Sequence, residues 1–401
     1  MRKLVLRHIL VVACGAALVG GCGSSDAKKD ASVPRDTGVD AARDGAIDAA
    51  VDRADGASPD GGNADRPEGG STDAPGDGVV LTAQEERGRY LVQNVGVCGD
   101  CHTPRDPMTQ APIMAQYLAG AECFVRLPNG HCLPTRNLTN HETGLRNRSP
   151  DEIKRMFLDG IRPASGAALE VALNPVMPYF VFHNMTAADA DAIVAYLRTV
   201  PGVDHGIPSR AVEFDVPVHA DYLDPLTIPT PAVTFPEAAS ATRGRYLATQ
   251  AGVCLECHTQ RNPPAMPPNP VVLDPTRFFA GGEVFDVGFP VIPVSTNLTS
   301  DLTTGLGSWS ATDIVRVLKD GKDRNDKGIC PPMPVGPMGA YGGLTDQDAR
   351  DIANYIKSLP PKVNLVVDMC TFPFPPPPDG GIDGSPDGSD ASSDAAGDAQ
   401  D

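Results

Sequence analysis

RGRYLVQNVGVCGDCHT, residues 87–103, returns at residues 243–259 as RGRYLATQAGVCLECHT. In both copies a Cys-x-x-Cys pair is followed directly by histidine: Cys98, Cys101 and His102, then Cys254, Cys257 and His258. Two thiols at this spacing can each add across a vinyl group of one porphyrin, and the adjacent imidazole then lies under the iron as its proximal ligand. A redox Cys-x-x-Cys or half of a zinc site requires no histidine there, and a coincidental one would not recur inside a seventeen-residue repeat. The spacing therefore predicts two covalently attached haem c groups, one for each copy.

Outside the repeats the composition changes. The formal charge of −18 is concentrated in two tails: residues 26–80 hold thirteen acids against six bases, and residues 371–401 hold seven acids and no base. Neither segment has a hydrophobic period, and a chain of Ala, Asp, Gly, Ser and Pro buries too little apolar surface to offset its ordering entropy. Residues 22–80 and 371–401 are thus expected to be disordered acidic segments, and an acidic chain without clustered Lys and Arg excludes nucleic-acid binding. The chain opens with Arg2, Lys3 and Arg7, an apolar run from Ile9 to Val19, and then Gly20-Gly21-Cys22. This has the shape of an export signal, and the small residues before Cys22 resemble a bacterial lipobox. Residues 1–21 are read as a lipoprotein signal peptide, with Cys22 carrying the lipid that holds the protein at a bacterial membrane, facing the periplasm or the cell surface.

Two folded units follow, residues 81–205 and 239–370, joined by a Pro- and Val-rich connector at 206–238. Thr82 with Glu85 reads as a capping box, and Gly88, Tyr90 and Leu91 mark the buried side of the helix that delivers Cys98. A last helix opens at Thr186 and buries Ile193, Val194, Tyr196 and Leu197; its counterpart opens at Thr345 and buries Ile352, Tyr355 and Ile356. Between them, helices start at Ser149 and Ser310, each after an Asn-Leu-Thr (Asn137 to Thr139, Asn297 to Thr299) and a Thr-Gly-Leu.

A glycine and an aromatic before Cys-x-x-Cys-His resemble the N-terminal helix of class I cytochromes c. The Asn-Leu-Thr and Thr-Gly-Leu pattern is similar to the haem-binding units of membrane-associated cytochrome c subunits that serve alcohol and gluconate dehydrogenases. The likeness covers about residues 83–201 and 239–361. It implies an all-α protein of two tandem class I cytochrome c domains, in which the small residue lets the first helix cross closely against the last. It also implies a methionine as sixth ligand. Met177, in Asn174-Pro175-Val176-Met177-Pro178, fits the pattern in the first unit, with Met185 and His183 as rivals; in the second, Met333 fits, with Met338 as rival. In that family a tryptophan lies near a haem propionate. Here only the second unit has one, Trp309, and Arg148 stands at the matching place, so the two haems are expected to differ in potential.

The function so implied is electron relay between a periplasmic dehydrogenase and a respiratory acceptor, with no catalytic residue in this chain. The alternative is a haem enzyme, such as a dihaem peroxidase or a thiosulfate-oxidising dihaem cytochrome. Those need an open distal position, whereas both units here offer Met-Pro. Four cysteines remain: Cys123, Cys132, Cys330 and Cys370. In an oxidising compartment they suggest disulfides, the local pairs being Cys123–Cys132 and Cys330–Cys370, although three connectivities are open. Cys330 near Met333 could instead supply an axial thiolate.

Overall fold

Side-chain caps set where the helices begin. The Thr82 hydroxyl accepts from the Glu85 N–H (3.3 Å) while the Glu85 carboxylate accepts from the Thr82 N–H (2.7 Å). Two orphan donors are thereby satisfied at the start of α1 (Ala83–Tyr90). The chain continues as a π-helical turn, Leu91–Val95, is broken at Gly96-Val97, where Val97 takes a positive φ of 47°, and resumes as α2 (Cys98–His102). Ser149 with Glu152 opens α3 (Pro150–Leu158) by the same capping box. After the short α4 (Tyr179–Phe182), Thr186 caps α5 (Ala187–Thr199). The second half repeats the plan with α6 (Ala238–Thr249), α7 (Cys254–Cys257), α8 (Ala311–Asp320), opened by Ser310 and Asp313, and α9 (Asp346–Ser358), capped by Thr345. This computed structural model describes residues 80–126, 130–163, 171–208, 219–262, 272–285 and 293–367. The signal segment, Cys22, the acidic linker up to residue 79, the C-terminal tail and Cys370 lie outside them.

The first and last helices of each half cross at a glycine. A Cβ on Gly88 would stand 1.9 Å from the Ala192 carbonyl oxygen of α5, and one on Gly244 would stand 1.9 Å from the Asp351 carbonyl oxygen of α9. No side chain fits at that separation, so the backbones themselves are in contact. The apolar faces expected to pack there do so: Ile193, Val194, Tyr196 and Leu197 are buried on α5, and Ile352, Tyr355 and Ile356 on α9. Both faces join one continuous apolar core with Leu91, Val92, Leu247 and Leu255. The connector is pinned on both sides of this core. The Ala220 N–H donates to Tyr179 Oη (3.0 Å) in the first half, while the Arg245 guanidinium and Tyr355 Oη of the second half donate to the Pro229 carbonyl (3.1 and 3.0 Å).

The all-α expectation is overturned by two antiparallel ladders. β1 (Ala121–Arg126) pairs with β2 (Cys132–Thr135), and β3 (Ile161–Arg162) with β4 (Val171–Ala172). The cause of the first is local: a Cys123–Cys132 disulfide closes the loop, and the enclosed run supplies Phe124 and Val125, residues that suit a strand. Strands this short leave no alternation long enough to read in the sequence. Among the described residues no helix is long and apolar enough to cross a membrane.

Replacing Gly88 or Gly244 with alanine is expected to lower the unfolding free energy by about 3 kcal/mol in a urea titration, the upper part of the range for overpacked cores. A loss below about 1 kcal/mol would mean that the helices do not touch there.

Candidate functional site

Each motif histidine is oriented by a backbone carbonyl. The His102 Nδ1–H donates to the Arg136 carbonyl (2.7 Å), and the His258 Nδ1–H to the Thr296 carbonyl (2.9 Å). A carbonyl can only accept, so the proton belongs on Nδ1 and the Nε2 lone pair is left for a metal. Burial holds both imidazoles below the usual histidine pKa, the carbonyl bond acting more weakly in the opposite direction. A neutral ring is the form that ligates.

The carbonyls that orient the rings are themselves fixed by the residue that follows. Asn137 Oδ1 accepts from the Thr139 N–H (2.9 Å) and hydroxyl (2.7 Å), and its amide donates to Thr143 Oγ1 (3.0 Å) and the Val203 carbonyl (2.9 Å). Asn297 makes the same set: it accepts from the Thr299 N–H (3.0 Å) and hydroxyl (2.7 Å) and donates to Thr304 Oγ1 (3.2 Å) and the Lys362 carbonyl (2.8 Å). The Asn-Leu-Thr motif thus ties the histidine's anchor to the segment leaving the last helix. The glycine of Thr-Gly-Leu is needed by the same turn, since a Cβ on Gly144 or Gly305 would lie 2.4 Å from the Thr139 or Thr299 carbonyl oxygen. The threonine after each histidine completes the frame: Thr103 Oγ1 accepts from the Leu118 N–H and Thr259 Oγ1 from the Phe279 N–H, both at 3.2 Å.

The four motif cysteines are free thiols, whereas Cys123, Cys132 and Cys330 are disulfide-bonded. Burial pushes the Cys98 thiol up to about 12 and the Cys254 thiol to about 11, and raises Cys101 and Cys257 as well. Thiols left free of disulfides beside metal-ready imidazoles are the donor set that haem c requires. Two orphaned polar atoms point the same way. Tyr117 Oη and Arg277 Nε are buried without a hydrogen-bond partner, and the Tyr117 ring packs on Gly99 inside the first motif, where a Cβ would come within 2.8 Å of it. Carboxylate-bearing edges of a porphyrin would satisfy such groups.

The methionines divide by exposure. Met177 and Met333 are half-buried against the common core, Met185 is buried within it, and Met338 is 94% exposed. Met177 and Met333 also share one backbone turn. The Met177 N–H donates to the Asn174 carbonyl (3.0 Å) and the Tyr179 N–H to the Met177 carbonyl (2.8 Å); in the second half Met333 bonds Cys330 (3.2 Å) and Val335 bonds Met333 (2.9 Å). His183 places its Nδ1 3.1 Å from the Leu158 carbonyl, and its ring is stacked on Tyr222 of the connector with centroids 3.5 Å apart. The disulfide at Cys330 removes its thiolate as a ligand.

The halves differ electrically in a way the sequence did not announce. Glu256, inside the second motif, is buried in a salt bridge with Arg261, which also pairs with Glu283 at 3.3 Å. Burial raises the Glu283 pKa, with Arg261 acting against it. In the first half Asp100 and Arg105 stand 3.9 Å apart and are far more exposed. Arg148 pairs with Glu152 at 3.2 Å, and Arg324 lies over the Trp309 ring at 5.3 Å.

No family model matches the chain. Among curated proteins it is 30% identical over 287 residues to the fructose dehydrogenase cytochrome subunit of Gluconobacter japonicus, covering 69% of this chain and 52% of that protein. It is 28% identical over 309 residues to the cytochrome c subunit of the quinone alcohol dehydrogenase of Gluconacetobacter polyoxogenes, 70% of this chain and 57% of the relative. It is 27% identical over 298 residues to the gluconate 2-dehydrogenase cytochrome c subunit of Pantoea cypripedii, 68% and 59%. The chain therefore spans a little over half the length of these relatives, and the resemblance first drawn from its motifs holds over about 70% of its own length.

Asn137→Ala and Asn297→Ala should each destabilise their half by about 2–3 kcal/mol, because buried partners lose their hydrogen bonds. Calorimetry on each variant checks this, and an unchanged transition would show that the asparagines do not hold the anchoring carbonyls.

Proposed function

Starting from this kinship with the cytochrome c subunits of dehydrogenases, we propose that the chain is an exported dihaem c-type cytochrome. It relays single electrons from a periplasmic dehydrogenase to a respiratory acceptor and is itself an electron carrier with no catalytic residues. The observation that carries the reading is the repeated frame: two imidazoles, each with Nδ1 given to a carbonyl and each beside two free thiols. Bound haem c supplies the one-electron iron couple. The residues do the rest. Cys98 and Cys101, then Cys254 and Cys257, would attach the rings, and His102 with Met177 and His258 with Met333 would ligate the iron. The matched turns around both methionines, and the exposure of Met338, support that assignment.

The same proposal places the protein at a bacterial membrane through a lipid on Cys22, behind a flexible acidic linker. The two haems are proposed to differ in potential. The buried Glu256 and half-buried Glu283 carboxylates share one arginine beside the second motif, and negative charge in a low-dielectric site stabilises ferric over ferrous iron. The second haem is accordingly the lower in potential.

Mass spectrometry of the purified protein is expected to show two haems per chain and diacylglycerol on the Cys22 fragment. In the oxidised protein, Met333→Ala should abolish the methionine–iron charge-transfer band of one haem, while Met338→Ala leaves both intact. The reverse outcome would transfer the ligand role to Met338. Glu256→Gln should raise one of the two potentials by on the order of 50 mV, near the 59 mV that a tenfold change represents for one electron. An unchanged redox titration would remove the carboxylates as the source of the asymmetry.

A further inference from the structure

The tyrosine of each repeat serves the opposite half. Tyr90, at the end of α1, donates its hydroxyl to Asp348 Oδ2 of α9 (2.7 Å) and accepts from the N–H of the α9 cap Thr345 (3.2 Å). Tyr246 of α6 does the reverse, donating to Asp189 Oδ2 of α5 (2.5 Å) and accepting from the N–H of the α5 cap Thr186 (3.3 Å). Each aspartate is held at the same time by an arginine of its own half, Asp189 by Arg87 (2.8 Å) and Asp348 by Arg243 (2.7 Å). The result is a pair of Arg–Asp–Tyr latches related as if by a two-fold axis.

Burial, reinforced by the bond to aspartate, pushes Tyr90 and Tyr246 up to about 12, so both hydroxyls remain protonated donors. Burial also raises Asp189, but the bonds from Arg87 and Tyr246 outweigh it and hold the carboxyl below its usual value.

Between the latches, the segments leading into the two haem motifs cross. A Cβ on Gly96 would lie 3.4 Å from the Ala251 carbonyl oxygen and 3.7 Å from Cys98 Sγ, and one on Gly252 would lie 3.0 Å from the Val95 carbonyl oxygen. The Asn94 amide donates to the Ala340 carbonyl (2.9 Å), and the neighbouring Tyr341 brings its hydroxyl to 3.9 Å from Cys254 Sγ. Cys98 and Cys254, one attachment point from each motif, are thus joined through a short path of packed backbone.

We propose that residues 95–98 and 251–254 form the internal electron crossing between the two haems, and that Tyr90 and Tyr246 are the positioning residues that hold it closed. This rests on the dihaem reading given above. The step is a single-electron exchange: the iron at one site goes from ferrous to ferric as the other goes from ferric to ferrous. No bond is made or broken, and no proton moves. Tunnelling falls off exponentially with distance, so a seam held only by packing would exchange electrons more slowly than one latched at both ends by charge-assisted hydrogen bonds.

The test uses the full-length holoprotein, with one electron injected by a photoreductant and the internal exchange rate followed at the two haems' separate absorbances. The double variant Tyr90→Phe/Tyr246→Phe is expected to slow exchange about tenfold or more, the factor that corresponds to 1.4 kcal/mol. Both potentials and both methionine–iron bands should stay unchanged. The single variants, each keeping one latch, should show smaller losses and serve if the double variant does not fold. Tyr222→Phe, on the connector, should leave the rate as it was. Unchanged exchange in the latch variants, with both haems bound and ligated, overturns the positioning inference and leaves the cytochrome reading intact. A wild-type protein that holds no haem overturns both.

Discussion

Two backbone carbonyls, those of Arg136 and Thr296, govern the arrangement of the rest. By accepting from Nδ1 they settle the tautomer and the tilt of His102 and His258, and only then is Nε2 left free to ligate. A carbonyl in a loop would be a poor anchor by itself. Here the next residue, Asn137 or Asn297, bonds forward into its own turn and outward to the stretch of chain leaving the last helix. That last helix in turn crosses the first helix at Gly88 or Gly244, which leads into the cysteines. Each half is therefore a closed circuit from motif to histidine, carbonyl, asparagine, last helix, glycine and back to the motif.

The elements legible in the sequence were those that use side-chain identity. Helix starts at Thr82, Ser149, Thr186, Ser310 and Thr345 were visible because a hydroxyl cap is a specific chemical choice. The crossing at Gly88 was implied by the resemblance to class I cytochromes c, in which a small residue stands at that place. The anchoring carbonyls were not, since every residue has one; only the asparagine beside them leaves a mark, and its repetition was seen without its purpose. The hairpins escaped because two to six residues give no usable period. Tyr90 was read as part of the buried side of its helix, and its ring and that of Tyr246 pack half-buried against the core, while the hydroxyl's partner lies 258 residues away in one case and 57 in the other. Local reasoning has no access to that separation.

Repetition and divergence have different roles in this chain. The frame is copied nearly bond for bond, from the threonine that follows each histidine to the cation on the last helix, Arg198 or Lys357, that donates to the carbonyl of the leucine of Thr-Gly-Leu. The surroundings differ: a buried Glu–Arg–Glu cluster beside the second motif, an exposed Asp–Arg pair beside the first, and a disulfide-clamped hairpin in the first half. On the proposed dihaem reading, the shared frame would keep one cofactor chemistry at both places, and the different charge around it would separate their energies.

The central claim is that both proximal histidines bind through Nε2 because Nδ1 is committed to a carbonyl. Nitrogen-15 NMR of the reduced holoprotein, with histidine labelled, tests it directly. Two imidazole Nδ1–H signals should survive slow solvent exchange and show hydrogen-bond couplings to the carbonyl carbons of Arg136 and Thr296. Absence of those couplings, or Nδ1 found bound to iron in either half, would contradict the account.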